Sequence, residues 1–204
     1  MTGLRERKKR QTRAALSWAA IRLIVERGYD KVLVEEIAAA AGVSPRTFNN
    51  YFAGKAEAVA SRHLDRCLGV ADALRERPAG EPLWDALTHA VLAQFVAGPE
   101  VTAHPVPDRE EWAAGLRLML DVPAVQAAVL HAAAAAERVI AGAVAERTGT
   151  DPNDLYPKLV AATLLAVTNV ASHHFTEAGG ERRADMHALL TEGLRQIRAG
   201  LPQP

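Results

Sequence analysis

The sequence predicts an all-α chain of about nine helices. Three observations carry that reading. Apolar residues recur at helical spacing over most of the 204 residues, no stretch sustains the alternation of a half-buried strand, and glycine or proline stands at nearly every interruption. No internal repeat is visible, which argues against a solenoid.

Taken in order, the first helix is predicted over Thr12–Arg27, with Leu16, Ala19, Ala20, Leu23 and Ile24 on one face, and it stops at Gly28. The second covers Val34–Ala41 and stops at Gly42. The third, Pro45–Tyr51, opens on Ser44: a hydroxyl to cap orphan amides, then a proline where no donor is needed. The fourth runs from Lys55 to Arg77, where "RPAGEP" breaks the chain. The fifth is Leu83–Ala97, ending at Gly98-Pro99. After a loop around "AHPVP", Asp108 caps the sixth, Arg109–Leu120. Pro123 opens the seventh, which closes by Arg147 before "TGTDPND". The eighth is Leu155–Glu177, and Gly179-Gly180 separates it from the ninth, Arg182–Ala199.

Composition narrows the class. With 49% hydrophobic and 24% charged residues the chain is long and apolar enough to bury a substantial core. No apolar run approaches the ~20 residues of a membrane span, so no membrane role is expected. The basic start "MTGLRERKKRQTR" leads into a long amphipathic segment rather than a short apolar core with a cleavage site, unlike a signal peptide. A single cysteine, Cys67, excludes an internal disulfide and fits a reducing cytoplasm. The net charge of zero conceals an asymmetry. Residues 1–55 hold eleven Lys/Arg against five Asp/Glu, and the rest holds 13 against 19. A basic head on an acidic body points to a polyanion at one end, unless the basic residues merely form a solvated tail.

The third helix is poor in helix formers, so packing alone did not choose its side chains. At ~100° per residue Phe48 and Phe52 share a face, while Arg46 and Asn50 point the opposite way. Thr47 and Asn49 flank that outer face, with Tyr51 further round. Two phenylalanines anchor the helix, and a row of Arg, Thr and Asn is offered outward. Such side chains read base edges: Arg suits guanine and Asn suits adenine. A short helix, a glycine-containing turn and a second helix with a polar outer face make a helix-turn-helix.

The stretch "GYDKVLVEEIAAAAGVSPRTFNNYFAGKAEAV" resembles the DNA-binding segment of the TetR family of bacterial repressors. The matching features are Gly28, Ile37-Ala38, Ala41-Gly42-Val43-Ser44, Phe48, Tyr51-Phe52 and Lys55. "SPRTFNNYF" and the later layout are similar to a subgroup related to mycofactocin-system regulators, which implies acyl-CoA-like ligands. The resemblance implies a helix-turn-helix domain over 1–55, with its basic arm, and a helical ligand-binding and dimerisation domain over 56–204. It places the third helix in the major groove. Arg46 is then the first candidate for a base contact; Ser44, Pro45, Thr47, Asn49, Asn50 and Tyr51 share base and phosphate contacts; Lys55 joins the amides of the fourth helix in holding a phosphate. Two departures stand out. Leu33 and Val34 occupy positions commonly Ser or Thr, so the second helix lacks a capping hydroxyl, a deficit of roughly 1 kcal/mol. Asn49 replaces a frequent tyrosine, shifting contact from backbone toward bases.

The arm, with Arg5, Lys8, Lys9 and Arg10, has three readings. It extends the first helix, or enters the minor groove, where Arg exploits the negative potential, or stays disordered and attracts phosphate nonspecifically.

For the body, the resemblance implies dimerisation through the last two long helices. Val160, Leu164, Val167 and Ala171 form a stripe on the eighth; Met186, Leu190, Leu194 and Ile197 form one on the ninth, with Leu189 beside it. Paired across a two-fold axis these would make a four-helix interface. The alternative is that both stripes face their own chain's core. The ligand site is expected among the fifth to seventh helices: Trp84, Thr88 and Phe95 on one stripe, Trp112, Leu116 and Met119 on another. Arg117, His131 and Arg138 are candidates for an anionic head group.

The function these features support is a DNA-binding repressor, homodimeric, released from a pseudo-palindromic double-stranded operator by a small hydrophobic or acyl-CoA-like effector, with no cofactor. Two other classes stand against it. His63 and Cys67 stand four apart on one helix, which would suit a redox or metal sensor, yet two ligands do not make a zinc site. An all-helical enzyme has no HExxH, CxxC, GxSxG or phosphate-cradling loop behind it.

Overall fold

The computed structural model describes residues 2–95, 109–177 and 185–202, without the side chains of residues 2, 4–7, 109, 111 and 112. The described residues hold nine α-helices, one 3-10 turn and no strand. In order they are α1 (Thr2–Arg27), the 3-10 turn Tyr29–Lys31, α2 (Val34–Ala40), α3 (Pro45–Asn49), α4 (Lys55–Glu76) and α5 (Leu83–Ala93). Then come α6 (Arg109–Asp121), α7 (Pro123–Thr148), α8 (Leu155–Glu177) and α9 (Met186–Arg198). The expected cap at Asp108, the "AHPVP" loop, Gly98-Pro99 and the Gly179-Gly180 break lie outside the described residues. The fifth helix ends at Ala93, capped by Gln94, short of the expected Ala97, and the ninth starts at Met186 behind an Asp185 cap rather than at Arg182. The largest difference is α1, which begins at Thr2 rather than Thr12. Leu4 to Gln11 are all good helix formers, and their intrinsic preference outweighs the repulsion of the Lys/Arg run.

The chain divides into two compact units, Met1–His63 with Pro99–Ala132 and Leu64–Gly98 with Ala133–Pro204. In the first, Leu16, Ala19, Ala20, Leu23 and Ile24 of α1 close on Ile37, Ala38, Phe48, Phe52 and Val59. Val125, wholly buried, belongs to the same core, and Leu118, Met119, Val122 and Val129 pack against it. Residues of α6 and early α7, grouped with the body in the sequence, thus share a core with the helix-turn-helix.

In the second unit α8 and α9 pack along one seam, with α9 also against α5. Gly193 makes the seam close: a Cβ there would lie 2.9 Å from Val167 Cγ1. The turn between α4 and α5 is held by Arg147, which donates to the carbonyl oxygens of Arg77, Pro78 and Glu81 at 3.3, 2.6 and 2.7 Å. Arg77 pairs with Glu81, and that hydrogen bond, supported by His89, holds the Glu81 carboxyl down at about 2. The stability this pairing contributes is therefore full above the ordinary carboxylate range and is lost as pH falls through that range toward 2. Arg147→Ala removes a donor from three carbonyls, of which Pro78 O keeps the Glu81 amide at 3.1 Å, and should cost about 1–3 kcal/mol in denaturant melts of the intact chain.

Among the described residues two helices reach the length and hydropathy of a membrane span, α7 at 1.4 and α8 at 1.2, where the sequence predicts none. Alanine explains the difference, raising the mean without supplying a continuous oily surface. Gln126, Glu137 and Arg138 interrupt α7, and Lys158, Asn169, His173 and His174 are exposed on α8.

Candidate nucleic-acid interface

The turn between α2 and α3 is built by backbone chemistry that only glycine fits easily. Gly42 sits at φ +70°, the Gly42 amide donates to Ala39 O at 3.0 Å, and the Val43 amide to Ala38 O at 3.0 Å. These two bonds satisfy the last carbonyls of α2 and reverse the chain. Ser44 then accepts from the Thr47 amide at 3.1 Å, with Pro45 at the first helical position. Phe48 is wholly buried, its ring 5.6 Å from that of Phe52.

The opposite face of α3 carries Arg46, Asn49 and Asn50, all exposed, with Pro45 beside them. Thr47 and Tyr51 are placed differently from the expectation of free polar contacts. The Thr47 hydroxyl lies 2.9 Å from Ser44 Oγ, so both hydroxyls serve the cap first. Tyr51 is half-buried, its ring 6.5 Å from that of Phe52.

The residue at the N-cap of α2 is Leu33, which has no side-chain acceptor, as its residue type implies. The missing hydroxyl is partly offset from within. Glu36 accepts from the Leu33 amide at 2.9 Å and pairs with Arg27 at 2.9 Å. A carboxylate in the first turn also favours the helix dipole.

Lys55 is turned inward, contrary to the expectation that it meets a phosphate. Its ammonium donates to Tyr29 O at 2.6 Å and Val32 O at 3.0 Å, and stands 4.4 Å from the Tyr29 ring centre.

In the arm, Lys8, Lys9 and Arg10 are exposed on a helix; the Arg5 side chain lies outside the described residues. An α-helix is about 10 Å across and the minor groove about 6 Å wide, so an arm wound as a helix is too broad for that groove.

The remaining expected site residues divide between the units. Trp84, Thr88 and Phe95 are half-buried in the second, and the Thr88 hydroxyl is bonded to Trp84 O at 2.7 Å. Leu116, Arg117, Met119 and His131 fall in the first: Leu116 is buried, Met119 packs on the head core, Arg117 pairs with Glu110 at 2.8 Å, and His131 is exposed. The Trp112 side chain lies outside the described residues. Arg66, not singled out in the sequence, lies 4.5 Å over the Phe95 ring.

Of the expected dimer stripe, Val160, Leu164, Ala171, Met186, Leu190 and Leu194 are buried within one chain, and Val167 and Ile197 half-buried. They lie on α8 and α9, which pack on each other, and their burial within one chain fits the alternative left open by the sequence. The exposed apolar stripe of α8 is another one: Leu155, Leu159, Ala162, Ala166 and Val170. Cys67 is buried and its thiol is pushed up to about 11 by that burial, only partly countered by Arg66, which leaves scant thiolate for redox sensing.

A helix-turn-helix with a polar outer face on a basic head defines a DNA-binding regulator. The chain belongs to the TetR family: residues 18–60 match the family of bacterial regulatory proteins of tetR type, and residues 81–202 match the MftR C-terminal domain. It is 33% identical to the HTH-type transcriptional regulator TcmR of Streptomyces glaucescens, over 85% of this chain and 76% of that protein. It is likewise 33% identical to the mycofactocin biosynthesis transcriptional regulator MftR of Mycobacterium tuberculosis, over 83% of this chain and 82% of that one. The fold is similar to that of Thermus thermophilus FadR, a TetR-family repressor solved in complex with lauroyl-CoA (TM-score 0.56, 20% identity, 94% and 96% of the two chains). The protein is therefore a transcriptional regulator and not an enzyme.

Proposed function

We propose that the protein is a cytoplasmic repressor that grips a pseudo-palindromic duplex as a homodimer and lets go when a small hydrophobic or acyl-thioester ligand binds its second unit. The division of α3 carries the DNA half of this reading: Phe48 wholly buried on one side, Arg46, Asn49 and Asn50 exposed on the other. Arg46 meets a guanine edge, Asn49 and Asn50 meet adenine or phosphate, and Lys8, Lys9 and Arg10 hold phosphates. Two-fold symmetry of the dimer imposes a two-fold site. A second copy covers the Leu155–Val170 stripe of α8.

The ligand half is supported by the match to the MftR C-terminal domain, and by analogy with the lauroyl-CoA held by the FadR neighbour. Trp84 and Phe95, with Arg66 over Phe95, offer apolar surface and a cation in one unit, a combination suited to an acyl chain with an anionic head. Release requires that the ligand bind the non-DNA-binding state more tightly. Native mass spectrometry of the purified protein identifies the ligand, and a bound ligand that leaves operator affinity unchanged would sink the release mechanism.

Arg46→Ala tests the base-reading assignment. It should cost about 1–3 kcal/mol on the operator and relax preference at one base pair in each half-site. Equal weakening on operator and random duplex would show that Arg46 contacts only the backbone.

A further inference from the structure

We infer that Lys55 is a positioning residue for DNA reading: it locks the start of α4 to the turn between α1 and α2, and holds no phosphate. This rests on the DNA-binding reading of the head. Its ammonium donates to two main-chain carbonyls of that turn, Tyr29 O at 2.6 Å and Val32 O at 3.0 Å. The Tyr29 ring lies 4.4 Å from the same nitrogen, so the cation has an aromatic face as well as two acceptors.

The segment it binds needs such a tie. Gly28 leaves α1 at φ +89°, a conformation other residues adopt only with strain, and α2 follows Leu33 without a side-chain cap. Val32 between them is wholly buried. The far side of the same link is also fastened locally, since Glu57 accepts from the Ala53 amide at 2.6 Å just before α4. Lys55 thus joins the entry to α2 with the exit from α3, the two ends of the helix-turn-helix. Two of its three N–H groups are used, and a charge-assisted bond to a carbonyl is stronger than a neutral one. With the tie removed, α2 and α3 keep their sequence-local turn at Gly42 but lose their fixed placement on α4. The loss falls on reading a defined sequence more than on general attraction to phosphate.

Nitrogen-15 spectroscopy of the lysine ammonium groups tests this on the native chain. Through-hydrogen-bond couplings from Lys55 Nζ to the carbonyl carbons of Tyr29 and Val32 are expected in the free protein. The same couplings should persist in the complex with a duplex selected from a random pool. Coupling to a DNA phosphorus instead, with the carbonyl couplings lost, overturns the inference. Lys55→Met supplies the thermodynamic arm. It should lower affinity for the selected duplex about tenfold or more while the slope of log K against log salt stays put, whereas a lost phosphate contact would flatten that slope by about one. Binding to random-sequence duplex should change little, and amide exchange over residues 29–36 should quicken. A flattened slope with unchanged exchange overturns the inference as well. Restoration by Lys55→Cys alkylated to the aminoethyl thioether, in a Cys67→Ser background, ties the effect to the ammonium. A selection that enriches no duplex defeats the DNA-reading function itself, and is told apart because the free-protein couplings are read without DNA.

Discussion

Leu190→Glu should unfold the second unit rather than release folded monomers. Leu190 is wholly buried inside a single chain, on the seam of α8 and α9, with Leu194 and Leu164 also buried there. A carboxylate there has no partner and no water, and burying it uncompensated costs several kcal/mol. That is a large fraction of the roughly 5–15 kcal/mol by which a domain is stable. Circular dichroism at 25 °C should show a large loss of helix, and sedimentation should find aggregated or expanded chains. A folded monomer instead would return the seam to the role of a subunit interface.

Leu159→Glu is the complementary case and should leave the fold intact. Its side chain is 53% exposed in one chain, so the carboxylate stays hydrated and thermal stability at low protein concentration should move by no more than about 0.5 kcal/mol. Dimerisation is another matter. If a second copy covers Leu155, Leu159, Ala162, Ala166 and Val170, two symmetry-related carboxylates face each other in an apolar contact. Sedimentation should then find monomers. Operator binding should fall about 10²–10⁴-fold, because one head alone forfeits the effective concentration of two. A mutant that stays dimeric and binds normally would move the interface off this face of α8.

The contrast between these positions shows where sequence reading stops. The start of the eighth helix at Leu155 is legible in the sequence, because apolar spacing and flanking breakers determine where a helix lies. The same spacing cannot say which of two apolar faces meets its own chain. In α8 the alanines blur the choice: Ala162 and Ala166 are exposed while Ala161 and Ala171 are buried. Val125 illustrates the same limit. Its place in a helix is legible, but its burial in one core with Phe48 and Ile37 depends on chain reversal that no local pattern records.

Around the helix-turn-helix the legible part is larger, for a physical reason. Gly42, Ser44 and Pro45 act through backbone geometry within a few residues, so their roles can be read in place. Phe48 announces an anchored face by contrast with Arg46 and Asn50. Side chains that reach across the chain are the ones missed. Glu36 pairs with Arg27 nine residues earlier, and Lys55 bonds to carbonyls 23 and 26 residues earlier. For Lys55 the resemblance implies a phosphate instead.

The helical state of the arm sets how far the head extends along a duplex. Ten residues of extended chain, 2–11, would span about 33 Å, close to one full turn of B-DNA. The same ten residues wound as the beginning of α1 rise only about 15 Å, and in a fixed direction. Lys8, Lys9 and Arg10 are therefore carried on a short stiff spar, fastened to the core that holds α3. Phosphates protected by these cations should lie beside the half-site itself rather than a turn away. Lengthening the arm by a few residues would rotate its charges around the helix axis by 100° per residue as well as moving them outward. Register, more than length, governs which phosphates they meet.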